Sequence, residues 1–260
     1  MQLTVLGCWA PYPIAGGACS GYLIEHGETS LMLEAGNGSF SKLQKHIDYT
    51  RLAAIIVTHL HPDHYMDLFC LRHAIAGAIR AGQRTGPLAL FVPAEPADLY
   101  QQLSKYTDAF IVNAIEHLPL LEINNGVQVY QSRVGILQLQ FVLNEHPLPA
   151  YGVSIDCGQG RLVFSGDTAR TKGLVALAKQ ADLFLCEASG LDQDREFARG
   201  CHLTARQAGE MAKEAQVRQL VITHFYPPYD LNELGKQATE GFGSMVLLAK
   251  EDARYDVKSK

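Results

Sequence analysis

The sequence predicts an α/β fold with two sheets and helices outside them, formed as one domain over residues 1–260. Three observations lead there. About twelve short apolar runs, rich in β-branched residues and of strand length, recur along the chain. Amphipathic segments with apolar spacing near 3.6 stand between some of them. No linker, repeat or low-complexity stretch interrupts the 260 residues, a length that one domain can fill.

The elements follow in order. "LTVLG", "GYLIE" and "SLMLEA" are strands, and "AAIIVTH" and "LALFVP" follow as two more. Between these last two, "DLFCLRHAIAGAIRAG" has helical periodicity. "VQVYQ", "LQLQFVL", "YGVSID" and "RLVFSG" form a run of successive strands. "DLFLCE", "QLVITH" and "MVLLAK" complete the set. The segment "TARQAGEMAKEAQ" opens with Thr204 and Gln207 at capping-box spacing, and Asp230 and Glu233 stand in the same relation at the start of "DLNELGKQA". A mixture of this kind is satisfied by sheets that bury their helices' apolar stripes.

Composition narrows the function classes. The chain is 47% apolar with a net charge of −5, and no run of four Lys or Arg residues marks a nucleic-acid footprint. The six cysteines have no C-x-x-C spacing, which argues against a thiolate zinc ribbon. "MQLTVLGC" has no basic segment ahead of a long apolar stretch, so no signal peptide is expected. No 18-residue apolar run is present, so no membrane partner is expected and the cytoplasm is the default compartment.

The chemistry concentrates in "THLHPDHYMD". His59 and His61 alternate as in extended chain and can face one side. Pro62 disfavours helix at His61 and suits the first turn of a following helix, which puts Asp63 and His64 at that helix's start. One stretch would thus serve two metal points. A catalytic zinc needs only three protein ligands, and four are already present. Further candidates lie downstream: His146 in "NEHPLPAYG", Asp167 in "FSGDT" and His224 in "VITHFYP". His59, Asp167, Glu187 and His224 all fall where predicted strands end, so a shared sheet edge can bring them together. Alone, His146 or His224 reads as a packed residue; it is their order that makes them candidate ligands.

That order, "THLHPDH", an isolated histidine, "SGDT" and "THFYP", resembles the metallo-β-lactamase superfamily of binuclear hydrolases over nearly the whole chain. The resemblance implies a four-layer αββα sandwich, the metallo-β-lactamase fold. It implies one metal on His59, His61 and His146, a second on Asp63, His64 and His224, and Asp167 bridging them. Two divalent ions follow, zinc by the imidazole-rich donor set, with manganese or iron as alternatives because carboxylates complete it. Such ions lower the pKa of bound water from 15.7 to about 7, so a metal-bound hydroxide nucleophile becomes available. His26, His46, His73 and His117 match no motif position and read as surface or structural residues.

"CEAS" and "HLTARQAGEMAKEA" resemble two motifs of ribonuclease Z. The resemblance makes Glu187 and His202 a proton-transfer pair and counts Asp63 with them among the catalytic residues. A carboxylate-oriented imidazolium suits the discharge of an alkoxide from a phosphodiester. The chain departs from that family in two respects. "YMDLFCLRHAI", after the first motif, lacks the family's "GLPGLL"-like run. His146 and Asp167 are 21 positions apart, which leaves no room for the projecting arm that grips tRNA. The resemblance is therefore to short, arm-less bacterial ribonuclease-Z-like hydrolases.

The expected activity is that of a binuclear zinc phosphodiesterase acting on a small-molecule or nucleotide phosphodiester. Transfer RNA is not an expected partner, and a homodimer is implied by the family alone. Three alternatives stand beside it: hydrolysis of a carboxylic ester, lactone or amide at the same site, tRNA 3′ processing, and a non-catalytic metal or nucleic-acid binding role. Trp9, Tyr12 and Phe225 either wall the site or pack in a core or interface.

Overall fold

A computed structural model describes residues 1–123 and 126–259. In chain order the strands are β1 (Gln2–Gly7), β2 (Gly21–His26), β3 (Thr29–Ala35), β4 (Ala54–Ile56), β5 (Leu88–Val92) and β6 (Phe110–Ala114). Then come β7 (Leu120–Ile123), β8 (Val127–Val134), β9 (Leu137–Leu143), β10 (Tyr151–Asp156), β11 (Arg161–Phe164), β12 (Leu183–Glu187), β13 (Leu220–Thr223), β14 (Leu247–Leu248) and β15 (Arg254–Asp256). They form one sheet of order β15-β1-β2-β3-β4-β5-β6 and another of order β14-β13-β12-β11-β10-β9-β8-β7.

The helices are α1 (Ser39–Leu43), α2 (Pro62–Tyr65), α3 (Leu68–Arg80), α4 (Ala97–Ser104), α5 (Lys172–Ala178), α6 (Arg195–Ala198), α7 (Ala205–Glu214) and α8 (Leu231–Phe242).

Alternation along the first sheet explains the layers. On β2 and β3, Tyr22, Ile24, Leu31 and Leu33 join a core shared with Phe141, Val153, Ile155 and Phe164 of the second sheet. Leu23 and Met32, between them, join a separate core with Leu68, Leu71 and Ile75 of α3 and Leu103 of α4. Both faces of these strands are buried, which is why they read as continuous apolar runs. Tyr22 meets Phe164 and Phe91 stacks on Phe141, with ring centroids 5.3 and 6.2 Å apart. The apolar positions of α5, α7 and α8 cover the second sheet. The result is the four-layer αββα sandwich that the metallo-β-lactamase resemblance implies.

The helix starts follow the sequence signals in part. Thr204 accepts from the Gln207 amide, and the Gln207 side chain accepts from the Thr204 amide, a reciprocal capping box. Asp230 caps α8 through the Asn232 amide, but Glu233 turns away and accepts from Gln237, so no box forms there. "MVLLAK" contributes only the two-residue β14. The strands β6, β7 and β15 have no counterpart in the sequence reading. All three lie at sheet edges, where Ile111 and Leu120 can stay exposed and the apolar pattern is weak.

One topological fact positions everything below. β11, β12 and β13 run parallel. β9 is antiparallel to β10, which is antiparallel to β11, so β9 shares their direction. The C-terminal ends of β9, β11, β12 and β13 thus open on one edge. The Tyr151 amide donates to the Thr58 carbonyl at 3.1 Å and ties the end of β4 to that same edge. Side chains just past these strand ends converge.

On the outer layer, α7 and α8 cross at Gly209 and Gly241. A Cβ on Gly209 would sit 2.2 Å from the Ala238 carbonyl oxygen, and one on Gly241 2.3 Å from that of Arg206. Both contacts are with backbone that cannot swing aside. Gly209→Ala is expected to destabilise the fold by roughly 1–3 kcal/mol through overpacking, read as a lowered midpoint in thermal unfolding. An unchanged midpoint would contradict this account of the crossing.

Candidate metal centre

His61 is extended (φ −83°, ψ 145°) and caps α2, with Pro62 in the helix's first turn. Asp63 and His64 therefore turn inward at the helix start, as the sequence predicts. Gly36, just past β3, allows this. A Cβ there would lie 2.0 Å from the Asp63 carbonyl oxygen, so only glycine lets the loop press against the sheet.

The seven candidate ligands come together in two groups. His59, His61, His146 and Asp167 form one, and Asp63, His64 and His224 the other. His61 Nδ1 lies 3.1 Å from both His59 Nε2 and His146 Nε2. His64 Nε2 and His224 Nε2 are also 3.1 Å apart. Asp167 stands between the groups. Its Oδ2 is 3.6 Å from His59 Nε2, and its Oδ1 is 3.2 Å from His224 Nε2 and 3.5 Å from His64 Nε2. Asp63 Oδ2 completes the second group at 3.4 Å from His224 and 3.5 Å from His64.

These residues fit two cations. Imidazole nitrogens that face one another at hydrogen-bond distance need something positive between them. Asp167 Oδ1 is buried with no hydrogen-bond partner among the described residues. An orphaned buried carboxylate oxygen is costly unless a cation meets it.

The hydrogen bonds around the rings free the correct nitrogens. His146 Nδ1 donates to the Cys201 carbonyl at 2.8 Å, which leaves Nε2 its lone pair. Ser189 Oγ donates its single proton to Glu187, so at 2.7 Å it must accept from His224 Nδ1. Thr58 Oγ1 donates to Glu34 and so accepts from His59 Nδ1 at 3.2 Å. Glu34 Oε1 also lies 3.6 Å from His64 Nδ1. The hydrogen bonds on His59, His146 and His224 direct Nε2 inward, as outer partners of metal-binding imidazoles do.

Charge is distributed accordingly. Burial holds His59, His61 and His146 below the usual histidine range, so they are neutral donors. Burial also opposes the charge on His64, but Asp167, Asp63 and Glu34 outweigh it and raise the ring well above that range. Burial would raise Asp167, yet His224, His64 and His59 hold it well below the carboxylate range.

His202 sits beside this cluster. Its Nδ1 is 3.2 Å from both oxygens of Glu187 and 3.9 Å from Asp167 Oδ2. Glu187 is fully buried at the end of β12 and accepts from the Thr168 amide at 2.7 Å and from the Leu203 amide at 3.3 Å. Burial disfavours protonated His202, but Glu187 overcomes it and the ring's pKa rises to about 9.

A cavity of about 850 Å³ opens over the cluster, and His61, Asp63, Asp167, His202 and His224 line it. Tyr12, Tyr226 and Tyr229 form its aromatic side, with ring centroids 6.0 and 5.1 Å apart in succession. Of the three aromatics singled out in the sequence, only Tyr12 is there. Phe225 is fully buried, and Trp9 packs edge-on against it, 6.1 Å away, and faces another cavity. His26, His46, His73 and His117 belong to neither group.

The sequence reading omits Thr58, Ser189 and Glu34. Thr58 and Ser189 lie inside the quoted motifs, but their role depends on distant partners. A carboxylate inside the apolar run "SLMLEA" was the available signal for Glu34, since a buried acid requires a partner. Asp167→Ala is expected to reduce bound metal below the wild-type content, whereas His202→Ala retains it, as measured by elemental analysis. Glu34→Gln should weaken retention at the Asp63–His64–His224 group by roughly 10–100-fold in chelator competition. Wild-type retention in Glu34→Gln would remove Glu34 from this role.

Comparison with known proteins places this geometry. Residues 30–225 match the family described as the beta-lactamase superfamily domain. The probable metallo-hydrolase YhfI of Bacillus subtilis is 28% identical over 253 residues, with 96% of this chain and 97% of that protein covered. Its crystal structure superposes with a TM-score of 0.87 at 26% identity over 98% of both chains. The ribonuclease Z of Salinispora arenicola is 27% identical over an alignment of 302 residues, with 96% of this chain and 94% of that protein covered. That alignment is longer than the 260 residues available here, so it opens gaps in this chain. The matched family spans most of the sequence, including all seven candidate metal ligands, and the chain belongs to the beta-lactamase superfamily domain family.

Proposed function

We propose that this protein is a cytoplasmic, binuclear zinc-dependent hydrolase of phosphodiesters, with a small-molecule or nucleotide substrate. The observation that carries this reading is the His202–Glu187 pair beside Asp167. A phosphodiester of an ordinary alcohol must discharge an alkoxide, and this pair can supply its proton.

His59, His61 and His146 would hold one ion with Asp167 Oδ2, and Asp63, His64 and His224 the other with Asp167 Oδ1. When bound, such ions supply Lewis acidity, acidify a water and neutralise the developing phosphoryl charge. The remaining work falls to the chain. Glu187 binds Nδ1 of His202 and keeps the ring protonated, which leaves Nε2 for the leaving oxygen. The Thr168 and Leu203 amides fix Glu187, so the acid does not need to be oriented during the reaction. The tyrosine side of the cavity supplies flat surface for a base.

Ribonuclease Z relatives covering nearly the whole chain support phosphodiester chemistry. They do not carry tRNA to this protein. Between His146 and Asp167 lie only β10, β11 and a tight turn, with Cys157 bonded back to Gly160.

A leaving-group series tests the assignment. His202→Ala should lose about 10²- to 10⁴-fold in kcat on a diester with an alkyl leaving alcohol. It should lose far less on bis(p-nitrophenyl) phosphate, whose leaving anion needs no proton. Equal losses on both would remove His202 as the acid. Turnover of carboxylic esters alone, with no phosphodiester cleaved, would overturn the function itself.

A further inference from the structure

A second cavity, of about 480 Å³, adjoins the site and shares His202 with the first. Its charged wall is unusual for a chain of net charge −5. Arg170, Arg195 and Arg199 border it, opposed by Glu145 and Glu196. Arg170 is already engaged by Glu214 and lies 3.9 Å from Glu210. Arg195 forms no ion pair among the described residues. Arg199 approaches Glu196 at 3.7 Å, but the two side chains are 81% and 88% exposed, so water screens the pair. Two guanidiniums are thus free to take an anion.

Their position relative to the chemistry is fixed. Arg195 opens α6, and the Ala198 carbonyl at that helix's end accepts from the Cys201 amide at 3.1 Å and the His202 amide at 2.8 Å. The short helix is therefore bonded to the residue that carries His202. The same helix turns Phe197, 78% exposed, into the metal-facing cavity. A general acid must lie against the leaving oxygen. A leaving alcohol at His202 would lie where the two cavities meet, and Arg195 and Arg199 line the second cavity with it. Guanidinium forks select a planar or tetrahedral anion, phosphate above all.

We propose that the preferred substrates are phosphodiesters whose leaving alcohol itself bears a phosphate, held by Arg195 and Arg199. This rests on the phosphodiesterase reading above. A linear dinucleotide with a 5′-terminal phosphate has this form. Water adds to the bridging phosphorus, the P–O3′ bond breaks, and the departing 3′ oxygen takes the proton of His202. The products are two nucleoside 5′-monophosphates, and the proton released by the attacking water restores the acid.

The test compares pApA with ApA, which differ only by that terminal phosphate, with bis(p-nitrophenyl) phosphate as the reference diester. The metal-loaded wild-type protein should cleave pApA with a kcat/KM roughly tenfold or more above ApA, the advantage expected of a charge-assisted contact. In an Arg195→Ala/Arg199→Ala variant this ratio should collapse towards one, through KM. Both side chains are exposed, so the variant should fold, and its thermal midpoint checks this. A wild-type ratio near one, a ratio unchanged in the variant, or cleavage of the reference diester with neither dinucleotide would each overturn the inference and leave the phosphodiesterase reading intact. Failure to cleave any phosphodiester would overturn that reading, and the inference with it.

Discussion

The structure depends on a buried carboxylate with two occupied sides. Asp167 lies almost entirely out of solvent, within reach of three imidazoles, and each of its oxygens faces a different cluster. Removing a carboxylate from water is costly unless positive charge meets it. The fold meets that requirement by delivering histidines from three separate strand ends, those of β4, β9 and β13, to one edge. The two sheets must therefore pack in one register, because a shift of either would separate Asp167 from His59 and His64 of the other sheet. The Tyr151–Thr58 backbone bond ties the sheets at that edge.

A second level of organisation decides which nitrogen each ring presents. Ser189, Thr58, Glu34 and the Cys201 carbonyl all bind the outward Nδ1 of a candidate ligand or lie beside it. Two of these hydroxyls have only one proton and spend it on a carboxylate, Glu187 or Glu34. That choice forces them to accept from imidazole. Glu187 consequently links His202 to the ring orientation of His224 through Ser189. The orientations of His202 and His224 thus depend on one buried carboxylate.

His202 then divides the surroundings into two environments. On one side are the metal-facing groups and a tyrosine-lined cavity, on the other a basin bordered by guanidiniums. His202 lines both regions and is the point at which they meet. α6, four residues long and anchored to His202 through its backbone, contributes to both.

The motifs are strong in sequence because local geometry fixes them. "THLHPDH" must place two rings on an extended segment and two groups at a helix start, and Pro62 enforces the change. The buried strands were legible for the same reason, since burial on both faces leaves continuous apolar runs. Edge strands β6, β7 and β15 were not, because an exposed edge does not demand apolar residues. Neither were Glu34, Thr58 and Ser189, whose partners lie up to 35 positions away, nor the exclusion of Phe225 from the cavity, which follows from packing against the core. The sequence by itself determined the donor types, their order and the strand ends that carry them, since these depend on near neighbours. Only the tertiary structure decided which nitrogen faces inward, which oxygen of Asp167 serves which cluster, and what lies beyond His202, because each depends on residues that meet across two sheets.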